Sequence, residues 1–553
     1  MTFGLLLVQT GLLAAPPNTL LDTLASELDR NFKILKEKVD PPAYFISYEM
    51  TDTDTHSIAA TLGDITSCEN SRGRYLDVSL RAGSPKLDNY HLIGGGGQRY
   101  TSGASVPIEG GMDALRQLAW IETDHAYRNA AESLIRIKTS KQVRVAAQDK
   151  SDDFSGAPVA VHIEPVERPK FASTEWTNRM REVSRVFRDH PKILSSSVSV
   201  QVQSDERFFV NTEGTRIDHG RDFARVIISA STRAEDGMNL GNLVIFDAVD
   251  AKRLPSEADM KTAAEKLAKE VESLLNAPVA EPYVGPAIFS GRASGVFFHE
   301  IFGHRIEGHR QKNEAEGQTF TKSVGEQVLP KFISVFFDPT VKQIAGVDLN
   351  GWYSFDDEGV AAQTVTAVDK GVLKSFLMSR TPIDGFNASN GHGRKQPGLE
   401  VVSRQSNLIV KSENSVPDAK LREMLIAEVK RQNKPYGLYF QDITSGYTTT
   451  QRAGMQAFKV IPVIVYRVYA DGRPDELIRG ADMVGTPLAS FSKILATSDK
   501  TEVFNGYCGA ESGYVPVSAV SPAVLVSEIE IEKMEKSQDR PPILPPPSMG
   551  AGQ

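Results

Sequence analysis

The sequence predicts an α+β protein of two domains, built on mainly antiparallel or mixed sheets with helices packed on them. Three observations predict it. Strand-like runs follow one another across turns too brief to hold a crossover helix. Helical stripes arrive in blocks between those runs instead of alternating with them. The chain has 553 residues, 40% hydrophobic and 24% charged, ordinary for a soluble globular protein and long enough for two or more cores.

Taken in order, residues 1–18 hold two short apolar runs, 4–8 and 11–15, the second ending in small residues. They read as an export leader or an unstructured start. No Lys or Arg precedes them, as a leader would want, and they are too short and interrupted for a transmembrane helix. The expected compartment is the cytoplasm, with export following if residues 1–15 are a leader. From 20 to 39, Leu21, Leu24, Leu28, Phe32 and Leu35 recur at helical spacing. Strands are expected at 44–48, 57–62 and 75–80. Gly94 to Gly97 make a flexible loop with no phosphate-binding Lys-Ser/Thr after them. A long helix at 112–137, a polar loop at 150–157 and a helix at 174–187 come next. Strands at 196–202, 208–211 and 223–230 stand in hairpin-like succession, and Asn276-Ala277-Pro278 ends a helix at 257–275.

The boundary is expected near 280–286, dividing an N-terminal α+β domain (19–283) from a C-terminal one (284–535). The second begins with a strand at 287–289 and leads into a histidine-rich helix. Strands at 332–337, 363–368, 372–378, 438–442 and 457–469 and a helix at 418–432 follow. Residues 536–553 form an extended tail with five prolines between 541 and 547.

The net charge of −8 argues against general nucleic-acid binding, which wants a basic face. No dinucleotide fingerprint, phosphate loop or G-x-S-x-G elbow is present. The reactive side chains concentrate in one place. His299, Glu300 and His304 make an H-E-x-x-x-H string, followed by Glu307 and His309, so three of the ten histidines fall within residues 299–309. Histidine is the commonest metal ligand, and an adjacent carboxylate is the usual base for metal-activated water. Helical zinc proteases space their histidines i, i+4, which returns to within roughly 40° of the start, whereas i+5 lies about 140° away. A local π-type widening would bring His299 and His304 back together, and Gly303 frees the backbone to deform. The bland alternative is a solvated helix face with a chance cluster. Against it, residues 293–298 are apolar or small, so the histidines stand at the edge of a buried segment, where charge needs a partner.

Two cysteines are too few for a disulfide framework. Cys508 falls in a glycine-flanked loop that can present a thiolate to a metal. Two imidazoles and a thiolate leave a fourth tetrahedral position for water, as in catalytic zinc sites. On its own, a lone cysteine is more often an inert buried side chain, and Cys68 is read that way. Asp356-Asp357-Glu358 lacks the alternating ligands of a calcium loop. It reads as a turn that pairs with arginines or orients a ligand histidine.

Four strings together resemble the TldD/PmbA family in its metal-bearing, TldD-like form. They are His299-Glu300 through Gly303-His304 to Glu307-Gly308, then Phe355-Asp356-Asp357-Glu358-Gly359, then Asn390-Gly391-His392-Gly393-Arg394, then Cys508-Gly509 followed by Val515-Pro516-Val517. The resemblance implies a PmbA/TldD-like fold and a zinc-dependent metallopeptidase acting on flexible or unfolded peptides. It implies His299, His304 and Cys508 as metal ligands and Glu300 as the catalytic base for zinc-bound water. It also implies an extended peptide substrate and a TldE-like sister subunit, or a homodimer. His392 stands inside a loop that in the family runs asparagine-glycine-arginine. Thus His392 and Arg394, with Glu307 and His309, are candidates for supporting or substrate contacts. The alternatives are a non-catalytic regulatory or binding subunit of a TldD/TldE-like complex and a zinc amidohydrolase of small amides. The intact metal set favours the peptidase.

Overall fold

The computed structural model describes residues 19–93, 97–109, 111–140, 149–166, 168, 171–452, 458–485, 490–534, 539–544 and 547. The leader expected at 1–18, the loop at 94–96 and most of the proline-rich tail lie outside the described residues.

The N-terminal half is one sheet with helices on one face. Strands β1 (Ala43–Thr61), β2 (Asp64–Ser84), β3 (Ser195–Asn211), β4 (Arg216–Arg233) and β5 (Asn239–Ala248) are ordered β2-β1-β3-β4-β5, all antiparallel. Alternation along a strand sends successive side chains to opposite faces. Ile46, Tyr48, Met50, Ile58 and Ala60 of β1 lie under the helices. Of these, α1 (Thr19–Glu37) and α2 (Asp113–Thr139) cover one end of the sheet, and α3 (Ser173–Arg185) and α4 (Glu257–Asn276) the other. The opposite face carries Phe45, Ser47 and Glu49 of β1 and Phe209 of β3 toward the C-terminal half.

Two predicted strands, 44–48 and 57–62, are in fact one. β1 runs unbroken and turns into β2 through Leu62 and Gly63, both at positive φ, the geometry of a tight hairpin. The polar middle of β1 hid this, because there charge holds the hairpin. The Asp52 carboxylate accepts from Arg72 at 2.8 and 3.0 Å and from Arg74 at 2.7 Å, and Arg168 stands 2.9 Å away. Burial works against its charge, but the arginines outweigh burial and hold its carboxyl at about 2. A value below the ordinary 3.8 means this stabilisation is complete above about pH 4 and is lost as pH falls toward 2. Asp52→Asn should therefore lower the urea midpoint at pH 6 and make the acid limb of stability shallower. Parallel limbs in the two proteins would contradict this.

In the C-terminal half, hydrogen bonding closes a ring through β6 (Tyr283–Phe289), β8 (Tyr436–Thr448), β9 (Phe458–Tyr469), β10 (Ala481–Gly485) and β12 (Gly513–Lys533). Helix α5 (Gly291–Ile301) packs into it, with Phe289, Phe297, Phe298, Phe440, Phe458 and Phe491 in one buried cluster. Strand β7 (Asn407–Ser412) adds to β12 in parallel, and α6 (Asp418–Arg431) covers β6 through Leu421 and Leu425. Strand β11 (Ile494–Ala510) forms a long hairpin with β12.

Several expectations change. The strand forecast at 372–378 shrinks to Val372–Leu373. Cys508 lies not in a loop but on β11, opposite Val515. The polar run 498–502 and the glycines at 506 and 509 masked β11, and its apparent loop character is only the near end of the hairpin. No helix among the described residues is long and apolar enough to cross a membrane.

Candidate metal centre

The Ser290 hydroxyl caps α5 by accepting from Ala293 N at 3.1 Å. The helix ends at Ile301, Phe302 bends away, and Gly303–Ile306 continue as a 3-10 turn. The backbone thus tightens where a π-type widening was expected. Both deformations shift the i+5 residue, and the tightened one places the His299 and His304 rings 5.1 Å apart, nearly perpendicular. Gly303 supplies space and not freedom, since its φ is not positive. A Cβ there would lie 1.9 Å from Gln405 Oε1. Gly303→Ala should cost about 1–3 kcal/mol by overpacking, read as a lowered urea midpoint. Wild-type stability would show that Gln405 moves freely.

Cys508 reaches this turn from 204 positions away, its Sγ 3.4 Å from His304 Nε2. One donor atom from each of His299, His304 and Cys508 lies within 4.8 Å of the others, and all three residues are buried. A tetrahedral zinc with one nitrogen and one sulfur ligand separates them by about 3.5 Å. Two imidazoles and a thiolate suit zinc better than magnesium or calcium. Glu300 stands beside them, Oε2 3.9 Å from His304 Nε2. Gly446 of β8 packs on it so closely that a Cβ would sit 2.8 Å from Glu300 Cγ.

Charge supports the same arrangement. Burial opposes a thiolate at Cys508, but His304, Arg404 and His299 outweigh it and hold the thiol well below its ordinary value. Burial likewise opposes charge on Glu307, yet His304, Arg310 and Arg404 hold it far below the usual carboxylate range. Glu307 is fully buried, with Oε2 3.3 Å from His304 Nδ1 and accepting from Arg310 Nε at 2.8 Å. Burial opposes charge on His304, but Cys508 and Glu307 outweigh it and raise its pKa; a metal ion that displaces the Nε2 proton would leave Nδ1–H to donate to Glu307. At Glu300 burial wins and the pKa rises, although His299 and His304 pull it back.

His299, Glu300, His304 and Cys508 form one wall of a cavity of about 650 Å³ between the two halves, and Glu307 lies behind them, outside its lining. Phe45, Glu49, Asp77, Arg81 and Phe209 of the N-terminal sheet form the facing wall. Lys395 fastens the halves beside it, 2.8 Å from Glu49 and 3.1 Å from Asp77. His309 lines the cavity and pairs with Glu511, which Arg310 also holds at 2.9 Å. His392 and Arg394 do not line it. The His392 ring is fully buried between Asn390 O and Ser406 Oγ, at 3.1 and 3.0 Å, and burial holds its pKa down at about 3. Arg394 donates to Gln405 O and Pro516 O, each at 2.7 Å. The acidic turn takes the first of its two expected roles, Asp357 pairing with Arg207. Sequence reasoning missed Arg404, Gln405, Glu511 and Tyr447. The only signal at the first two is a run of polar residues, 403–407, and nothing local says that all five are buried.

Residues 283–533 match the family described as PmbA/TldA metallopeptidase C-terminal domain. A metalloprotease of Archaeoglobus fulgidus is 27% identical over 296 residues, 52% of this chain and 60% of that protein, so the match spans less than two thirds of the relative. The metalloprotease TldD homolog of Haemophilus influenzae is 25% identical over 358 residues, 62% of this chain and 68% of its own. The solved structure of TldE from Thermococcus kodakarensis superposes with a TM-score of 0.60 at 13% identity, over 92% of this chain and 100% of that one. At that identity the likeness concerns the fold.

Proposed function

Because the chain belongs to the PmbA/TldD family, we propose that it is a zinc-dependent peptidase acting on flexible or unfolded peptides. The observation that carries this is the meeting of His299, His304 and Cys508 within 4.8 Å, beside Glu300, on the wall of a cavity. These three residues would hold zinc, which when bound polarises a peptide carbonyl and makes nearby water acidic near neutral pH. Glu300 takes the proton of the attacking water at its carboxylate and returns it to the leaving amine. Its upward-shifted pKa suits both halves of that transfer. With zinc bound, Glu307 keeps His304 in the tautomer that leaves Nε2 to the ion.

Beyond Phe440 one edge of β8 has no strand partner among the described residues, and Gly446, Tyr447 and Thr448 of that stretch line the cavity. An extended peptide would add there by backbone hydrogen bonds, with little demand on its side chains. A folded protein offers no free strand of that kind. A TldE-like sister subunit, or a second copy of the chain, would complete the enclosure. A purely regulatory subunit would have no need of three convergent donors and an adjacent buried carboxylate.

The test is metal removal. Chelation should abolish hydrolysis of a reduced, unfolded protein, and added zinc should restore it, while the native form of the same protein resists. Equal cleavage of folded and unfolded forms would overturn the substrate reading, and full activity after chelation would overturn the zinc reading.

A further inference from the structure

Arg404 belongs neither to the helix and turn that carry the histidines nor to the hairpin that carries the cysteine, yet its guanidinium touches both sides. Nη2 donates to Cys508 O at 2.6 Å, and Nη1 donates to Ser512 Oγ at 2.9 Å and Gly513 O at 3.0 Å. Nε stands 3.4 Å from Glu307 Oε1, and the other oxygen of that carboxylate faces His304 Nδ1. The side chain is fully buried. The next residue, Gln405, donates to His299 O at 3.3 Å.

Other contacts hold the tip of the hairpin too, Gln396 N donating to Ser512 O at 2.8 Å, Arg394 to Pro516 O and Arg310 to Glu511, and Arg404 adds the carbonyl of the cysteine itself. Strand β12 pairs with β7 only over 518–520 and with β6 from 524, so among the described residues 513–517 pair with β11 alone. A two-stranded ribbon is marginal by itself, and Gly506 and Gly509 flank the cysteine within it.

We propose that Arg404 is a positioning residue that sets the sulfur-bearing hairpin against the His304–Glu307 pair, and so assembles the three-donor set. The proposal rests on the zinc reading given above. A rigid fork with five N–H donors can meet three acceptors around the hairpin tip and still set its charge against a carboxylate on the other side. A lysine ammonium is a point charge that satisfies Glu307 or the hairpin, not both.

The test uses the full chain with zinc or cobalt(II) as the probe. Cobalt bound by a thiolate shows a sulfur-to-metal absorption that histidine ligation alone lacks. Arg404→Lys, with wild-type far-UV circular dichroism, should bind either metal about 10–100-fold more weakly and lose most of the thiolate absorption. Ser512→Ala removes one acceptor and no charge, and should weaken binding in the same direction by a smaller factor. If Arg404→Lys does not fold, Ser512→Ala carries the test, and unchanged zinc affinity in it overturns the proposal. Wild-type affinity and absorption in a folded Arg404→Lys overturn it too. A wild-type protein without zinc or thiolate absorption would instead sink the zinc reading, so the two failures are distinguishable.

Discussion

Glu300→Gln is expected to lower peptidase activity by about 10²–10⁴-fold, the usual worth of a general acid–base group, while zinc stays bound. The amide has the carboxylate's shape but cannot accept and return a proton. Glu300 is not among the three donors that converge, so the metal set is untouched. Nor should the fold suffer, because burial already disfavours the charged form of this side chain and a neutral isostere removes that penalty. Turnover of an unfolded peptide, measured beside zinc content, decides the matter. Undiminished turnover would remove the proposed base, and loss of zinc would make Glu300 part of the binding set instead.

Cys508→Ala should cost both metal and activity, and by more than any supporting residue. Loss of a group that only orients a ligand lowers affinity by about 10–100-fold. Here a donor itself goes, together with the negative charge that offsets the cation. His299 and His304 remain, and two imidazoles bind weakly. The variant should nevertheless fold, since the side chain is small and the hairpin is tied through the Cys508 carbonyl, which alanine keeps. Zinc analysis of wild type and variant after dialysis is the direct measurement. Stoichiometric zinc in Cys508→Ala would show that the sulfur is not a ligand.

Much of the architecture was legible locally. The helices at 20–39, 112–137, 174–187, 257–275 and 418–432 are all found within a few residues of those limits, because an apolar stripe of period 3.6 needs no distant partner to be recognised. Strands were harder. β1 was cut in two because ion pairs with arginines replace hydrophobic alternation in its middle. β11 was missed because glycines and a charged run interrupt it, although its register is held by β12. At the centre, the order of His299, Glu300 and His304 marked the place, but not the manner in which the chain bends there. It bends through a 3-10 turn that begins at Gly303, where Gln405 leaves no room for a Cβ.

By itself the sequence determined the fold class, the helices, the family resemblance and the chemistry available in one short string of reactive residues. Only the tertiary structure decided which of those residues meet. It brought Cys508 across 204 positions to His304, turned Glu307 inward against two arginines, drew His392 and Arg394 into supporting contacts away from the cavity, and recruited Arg404 and Gln405 from an unremarked polar run. The reason is physical. Periodicity and turn chemistry are properties of neighbours along the chain, whereas the burial that shifts a pKa or strands a charge arises only when distant segments pack and exclude water.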